Sequence, residues 1–116
     1  MRVGRVVRVV IRNLSTFVAA SILEIAGCFA FWSWLRQERS ALYAVAGIAS
    51  LIGFAMMLTR VDVVFAGRAY AAYGGIYIAA SLGWLWAVEG QRPTTMDLTG
   101  AAVAVIGALI VIGFGR

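Results

Sequence analysis

An uninterrupted apolar stretch near the N-terminus constrains the fold of this chain more than any other feature. It runs from about Asn13 to Leu35 and contains a single ionisable residue, Glu24. A helix of this length crosses the hydrocarbon core of a bilayer, which is roughly 30 Å thick. Glu24 then lies near the middle of the span, where inserting a carboxylate costs on the order of 3 kcal/mol. Such residues usually bind ions or substrates, so Glu24 is the first candidate functional residue.

The composition excludes an ordinary soluble domain. Only 13% of the 116 residues are charged and 63% are hydrophobic, whereas soluble domains carry about 25% charged residues. Ten arginines give a net charge of +5, and their positions at predicted helix ends favour anionic lipid headgroups over nucleic acid as partners. The chain has no His and a single Cys, Cys28. We therefore expect no metal, no cofactor, no internal disulfide and no enzymatic activity.

Polar clusters divide the chain into four predicted membrane-spanning helices. The spans are residues 13–35, 40–59, 66–88 and 97–114, joined by loops too short to form another domain. The last span follows Thr94-Thr95-Met96-Asp97, which has the spacing of a capping box. The predicted fold is therefore one all-α transmembrane domain, residues 13–116, behind a basic leader, residues 1–12. Four crossings place both termini on the same side of the membrane.

The leader carries four arginines at helical spacing, Arg2, Arg5, Arg8 and Arg12. One interpretation is an amphipathic helix that lies on anionic lipid. The simpler interpretation is a loosely ordered basic segment that keeps this end in the cytoplasm. The six arginines outside the leader give no orientation preference, because three are predicted on each side. The leader alone therefore favours cytoplasmic termini in a cell (inner) membrane.

Helical spacing brings small residues to the side of the first span that carries Glu24: Ala20, Ser21, Gly27 and Cys28. Small side chains leave room for a ligand, for water or for a neighbouring helix. On the second span, Ser50 and Phe54 share one face. This weaker pattern is consistent with the wall of a binding cavity.

An aromatic stripe runs along the third span, formed by Tyr70, Tyr73, Tyr77, Ser81 and Trp84. Residues three or four apart share a helix face, and such a stripe often serves packing alone. Tyrosine hydroxyls at membrane depth nevertheless need hydrogen-bond partners, and Glu24 can accept such bonds. Aromatic faces also attract desolvated cations. The stripe and Glu24 together therefore predict a cation-binding cavity.

The fourth span has a seam of small residues, Gly100, Ala104, Gly107 and Ala108. Small residues allow close approach of helix backbones in lipid. The seam predicts either a dimer contact or packing within one subunit.

Several motifs together resemble one membrane-protein family. They are Ala20-x-x-x-Glu24-x-x-Gly27-Cys28, Gly67-Arg68-x-Tyr70-Ala71-Ala72-Tyr73-Gly74-Gly75-x-Tyr77, Trp84-Leu85-Trp86, Gly90-x-Arg92-Pro93, and Gly100 with Gly107. From about Leu14 onward, the chain resembles the small multidrug resistance (SMR) superfamily, and most closely its YnfA-like branch. The resemblance implies a homodimer, commonly antiparallel, that exports cationic compounds in exchange for protons. A leader that fixes one orientation would give a parallel dimer instead.

The resemblance also assigns roles to residues. Glu24 corresponds to the proton and substrate site, Tyr70 to a pocket tyrosine, and Tyr73 to a position where multidrug members have tryptophan. Phe54 corresponds to an aromatic residue on the second helix of the family, whereas Ser50 stands in place of another such aromatic. Gly100 and Gly107 fall at the family's dimer contact on the fourth helix. Two departures are Tyr77, where multidrug members have a glycine, and Arg68, an added cation near the cavity rim.

Two alternatives to cation export are consistent with the sequence. The protein could be an accessory membrane subunit that does not transport, in which Glu24 has only a structural role and accepts a hydrogen bond from Tyr70 or Tyr73. Alternatively, it could transport an anionic, zwitterionic or lipid-like compound that Arg68 attracts.

Overall fold

The computed structural model describes residues 2–63 and 65–114, and its regular secondary structure in these ranges is entirely α-helical. The helices are α1 (Arg2–Arg36), α2 (Leu42–Leu58), α3 (Ala66–Ala87) and α4 (Thr95–Phe114). Two stretches, Val3–Arg36 and Thr95–Ile112, are long and apolar enough to cross a membrane, and α2 is a shorter apolar helix. The predicted all-α, four-helix membrane fold is confirmed.

Helix α1 is longer than the predicted first span, because the basic leader continues it without a break. Its 35 residues correspond to a length of about 52 Å. Residues 2–12 of the leader are thus helical rather than loosely ordered. At the base of the predicted span, Arg12 forms an ion pair with Asp62, and the side-chain oxygen of Asn13 accepts a hydrogen bond from the Asp62 backbone N–H at 3.1 Å. These contacts attach the α2–α3 loop to α1.

The predicted capping box is present at the start of α4. The Asp97 N–H donates to Thr94 Oγ1 at 3.1 Å, and the Thr94 N–H donates to Asp97 Oδ2 at 2.9 Å. Because this box caps the helix, α4 begins at Thr95 rather than at residue 97. Helix α2 begins at Leu42 rather than at residue 40, and the Ser40 hydroxyl accepts a hydrogen bond from the Leu42 N–H.

Glycines permit the close crossing of helices within each of two hairpins. In the α1–α2 hairpin, a Cβ added to Gly27 would lie 2.8 Å from Leu51 Cγ and 3.0 Å from the Gly47 carbonyl oxygen. In the α3–α4 hairpin, a Cβ added to Gly75 would lie 2.5 Å from the Ala104 carbonyl oxygen. The distances of 2.8 Å and 2.5 Å are too short for a real Cβ atom, so each crossing depends on glycine.

The two hairpins meet along α1 and α3. A buried cluster of Phe17, Ala20, Ala72 and Tyr73 forms the centre of this contact. Helices α2 and α3 both pack on α1, but within the described ranges their backbones do not come into contact. The space left between α2 and α3 positions the candidate site.

Candidate functional site

A cavity of about 550 Å³ lies between α2 and α3 and has Glu24 in its wall. We call it the Glu24 cavity. Four of the predicted site residues line it, namely Glu24, Phe54, Tyr70 and Tyr73. Apolar and small residues of α2, the α2–α3 loop and the start of α3 complete the wall, namely Ala55, Leu58, Thr59, Val61, Val63, Ala66 and Ala69. The volume falls in the range of small-molecule sites, roughly 300–1,000 Å³.

Tyr73 and Glu24 are joined by a direct hydrogen bond. The Tyr73 hydroxyl donates to Glu24 Oε1 at 2.6 Å. The Tyr73 ring is only 7% exposed, and its centroid lies 6.0 Å from that of Phe17 and 5.6 Å from that of Phe54. Packing on both neighbours therefore fixes the position of the hydroxyl beside the carboxylate.

Glu24 has no cationic side chain as a partner among the described residues, where Arg12–Asp62 is the one ion pair. Its second oxygen, Oε2, makes no hydrogen bond to those residues either. A charge removed from water is unfavourable unless it is neutralised. The site can therefore accept a proton or a cation at the oxygen that Tyr73 leaves free.

Four other predicted residues pack between helices instead of lining the cavity. Ala20 and Ser21 are fully buried, and the Ser21 hydroxyl donates to the Val18 carbonyl at 2.7 Å. The Ser50 hydroxyl donates to the Leu23 carbonyl at 2.6 Å and so joins α2 to α1. Gly27 lies at the α1–α2 crossing. The small residues of α1 thus make room for neighbouring helices.

The last three predicted residues of the site line a different cavity. Cys28, Tyr77 and Trp84 lie around a space of about 270 Å³, which we call the Trp84 cavity, together with Ile25, Phe29, Trp32, Ser81 and Glu89. The Tyr73 and Tyr77 ring centroids are 6.0 Å apart, so the aromatic stripe continues from one cavity to the other. The stripe predicted one site, whereas the structure divides it into two.

Four residues of the Trp84 cavity were missed by the sequence analysis, namely Ile25, Phe29, Trp32 and Glu89. Phe29 and Trp32 follow Ile25 at spacings of four and seven residues, which is a helical stripe that the sequence does display. Glu89 follows Val88, the residue that caps the C-terminus of α3, and no pattern distinguished it from other loop residues.

Arg68 lies outside the lining of both cavities. Its guanidinium lies 5.7 Å from the centroid of the Phe65 ring. Asp62, the acid six residues before it in the sequence, is paired with Arg12.

The small-residue seam of α4 divides between two faces. Ala104 and Ala108 pack against Gly75 of α3 within the same chain, which is the second of the two roles predicted for the seam. Gly100 and Gly107 are exposed, and nothing lies within 4 Å of a Cβ added to either.

A comparison with protein families identifies the chain. The model described as "Uncharacterised BCR, YnfA/UPF0060 family" matches residues 10–116. The chain belongs to the YnfA/UPF0060 family. This family is part of the SMR-like group, which confirms the resemblance found in the sequence motifs. The YnfA/UPF0060 match begins at residue 10 rather than near Leu14 and so includes the end of the leader. A comparison with solved structures gives no match.

Proposed function

We propose that the protein is a proton-coupled exporter of small cationic compounds. The observation that carries this proposal is Glu24, a carboxylate without a cationic partner among the described residues, in the wall of a 550 Å³ cavity with aromatic sides. Phe54, Tyr70 and Tyr73 supply aromatic surface in the same wall, and aromatic faces attract desolvated cations. Membership of the SMR-like group supports the same function.

Mutually exclusive occupancy of Glu24 is sufficient for exchange. The carboxyl group holds either a proton or a cationic substrate, so release of one on each side of the membrane permits binding of the other. The site lies at membrane depth, and a movement of the helices around it is sufficient to open it first to one side of the membrane and then to the other. No covalent step is involved, so the protein is a transporter and not an enzyme.

The proposed assembly is a homodimer in the inner membrane, with both termini in the cytoplasm. Gly100, Val103, Gly107 and Ile110 form an exposed stripe on α4 at helical spacing. Such a stripe allows close helix contact in lipid, which supports this face of α4 as the dimer contact. The antiparallel arrangement of the family is favoured, and a parallel one would follow if the basic leader fixes the orientation.

Transport in proteoliposomes tests the proposal. An acidic interior should drive uptake of labelled tetraphenylphosphonium by the wild-type protein and by Glu38→Gln, a control carboxylate in the α1–α2 loop. Glu24→Gln should reduce this uptake to that of protein-free vesicles, because the neutral side chain can neither bind the cation nor release a proton. Uptake by Glu24→Gln equal to the control would refute the mechanism.

A second candidate function is favoured by the Tyr73–Glu24 hydrogen bond itself. In an accessory membrane subunit without transport activity, this bond would serve only to hold α1 and α3 together. Tyrosine and tryptophan fluorescence of the purified protein distinguishes the two functions. A response to cations that is lost in Glu24→Gln favours the exporter, whereas no response to a broad panel of cations favours the subunit.

A further inference from the structure

The helical leader, residues 2–12, has no part in the proposed export mechanism. It continues α1 without a break, so it extends along the axis of the first span. Residues 13–35 account for roughly 34 Å of this helix, which is already enough to cross the hydrocarbon core of roughly 30 Å. The leader adds roughly 16 Å more. It therefore lies in the headgroup layer and beyond it.

One face of the leader is apolar and continues the lipid-facing side of α1. Exposed apolar side chains follow one another along α1 at spacings of four or seven residues, namely Val3, Val7, Ile11, Val18 and Ile22. Such spacings keep side chains on one face of a helix. Val18 and Ile22 belong to the predicted span, where an exposed apolar side chain faces lipid. The apolar face of the leader therefore lies on the side of α1 where the surrounding lipids are.

Another face of the leader carries positive charge that its surroundings do not balance. Exposed arginines recur there at spacings of three and four residues, namely Arg5, Arg8 and Arg12. Arg60 and Arg68 lie at the same end of the molecule, because the α2–α3 loop is attached to the base of the leader. Among the described residues this end has a single acid, Asp62, and Arg12 already pairs with it.

The opposite end of the molecule is neutral. Its described charges are three arginines and three acids, namely Arg36, Arg39, Arg92, Glu38, Glu89 and Asp97. A second copy of the chain is therefore a poor partner for the leader. A parallel copy would bring the same unbalanced arginines to this end, and an antiparallel copy would bring its neutral end. A partner that is both anionic and apolar matches both faces of the leader.

We propose that the leader binds anionic phospholipid, with its arginines on the phosphates and its apolar face against the acyl chains. Arg8 lies one helical turn, roughly 6 Å, beyond Arg12, and the headgroup layer is roughly 5–7 Å thick. Guanidinium groups bind phosphate oxygens in pairs of charge-assisted hydrogen bonds. A helix longer than the bilayer commonly tilts, and a tilt towards Val3 and Val7 lowers the leader onto the lipid. This assignment does not depend on transport or on Glu24.

Native mass spectrometry of the full chain in a maltoside detergent tests the arginine face. The wild type should bind phosphatidylglycerol in preference to phosphatidylcholine with the same acyl chains. Arg5→Gln/Arg8→Gln should weaken phosphatidylglycerol binding roughly tenfold, because each arginine attracts the anionic headgroup. Arg36→Gln/Arg39→Gln is the matched control, which removes the same charge from the opposite end and should bind as the wild type does. Equal losses in the two double variants, or no preference in the wild type, would overturn the proposal.

Val7→Ser tests the apolar face, and Val45→Ser is its control, because Val45 is an exposed valine on α2. Phosphatidylglycerol affinity should fall severalfold in Val7→Ser alone, because the acyl chains lose apolar contact. Equal affinities of the two valine variants would overturn the assigned position of the chains. Circular dichroism of each variant verifies its fold.

Two other occupants of the leader give different results in the same measurement. Glycerol phosphate, which has the charge of the lipid without its chains, should bind far more weakly than phosphatidylglycerol. Equally tight binding would assign the arginines to a free phosphate compound. Loss of dimers in Val7→Ser, with lipid binding unchanged, would assign the apolar face to a second copy. Either result would overturn the proposal.

Discussion

Tyr73 and Glu24 are 49 residues apart in the sequence, yet a single 2.6 Å hydrogen bond joins their side chains across the α1–α3 contact. Neither residue would hold this arrangement alone. The Tyr73 ring is fixed by Phe17 and Phe54, and its hydroxyl in turn orients the carboxylate. The bond therefore links the packing of the hairpins directly to the candidate site.

Removal of the Tyr73 hydroxyl should destabilise the protein without removing the ring. In Tyr73→Phe, the part-buried carboxyl group of Glu24 loses the donor to its Oε1, and the loss of such a hydrogen bond costs roughly 1–3 kcal/mol. Tyr70→Phe is the control, because Tyr70 is 59% exposed and its hydroxyl makes no hydrogen bond to the described residues. Unfolding in mixed detergent micelles measures both. Equal stabilities of the two variants would contradict a structural role for this bond.

Gly75→Ala should disrupt the α3–α4 hairpin, whereas Gly74→Ala should not. The added methyl at position 75 would lie 2.5 Å from the Ala104 carbonyl oxygen, while position 74 has no atom within 4 Å. Overpacking of this kind typically costs 1–3 kcal/mol or somewhat more. Alanine at position 74 should instead be neutral or stabilising, because it favours helix. Thermal unfolding of the Gly74→Ala and Gly75→Ala variants compares their stabilities. A similar loss of stability in both would contradict the close crossing at Gly75.

Gly27→Ala should likewise weaken the α1–α2 hairpin. The methyl group would approach both Leu51 Cγ and the Gly47 carbonyl oxygen at 3.0 Å or less, whereas at Gly53 its nearest neighbour would be Leu23 Cδ1 at 3.6 Å, an ordinary contact. We expect a loss of about 1–3 kcal/mol for Gly27→Ala and little change for Gly53→Ala. Denaturation of the two variants in the same detergent provides the measurement. Unchanged stability of Gly27→Ala would show that α2 shifts to accommodate the methyl group.

The two contacts that attach the α2–α3 loop to α1 should differ in strength. Arg12 and Asp62 are both exposed, and such ion pairs contribute about 0–1 kcal/mol. Asn13 is buried, and its side-chain oxygen accepts the Asp62 N–H. Asn13→Ala should therefore reduce stability by about 1–2 kcal/mol, more than Arg12→Ala does. Unfolding in detergent measures both variants, and a greater loss of stability in Arg12→Ala than in Asn13→Ala would show that the ion pair is the stronger contact.

The sequence was sufficient to predict the number of helices, most of their boundaries and the capping box at Thr94, because these depend on local pattern and hydropathy. It also predicted that Glu24 could accept a hydrogen bond from a tyrosine of the third span, as it does from Tyr73. It did not separate Tyr73 from Tyr77, whose rings share a stripe but line different cavities. That division depends on which helices approach α1, and helical periodicity contains no information about the distance between α2 and α3.

The same limit explains the residues around Glu24 on α1. Periodicity showed that Ser21 and Gly27 share a face with the acid, but a small residue serves equally well beside a ligand or beside a helix. Ser21 bonds to its own helix, and Gly27 meets the backbone of α2. Only the positions of the neighbouring helices decide between the two roles.

The glycine crossings hold the two helices of each hairpin in close contact. The α1–α3 contact between them consists of side chains, among them Phe17 and Tyr73. A movement of one hairpin relative to the other that leaves both crossings intact is therefore expected at this boundary. The Tyr73–Glu24 hydrogen bond lies there and joins the two hairpins. A change in the charge of Glu24 is therefore expected to act first on this boundary, because the Tyr73–Glu24 hydrogen bond crosses it.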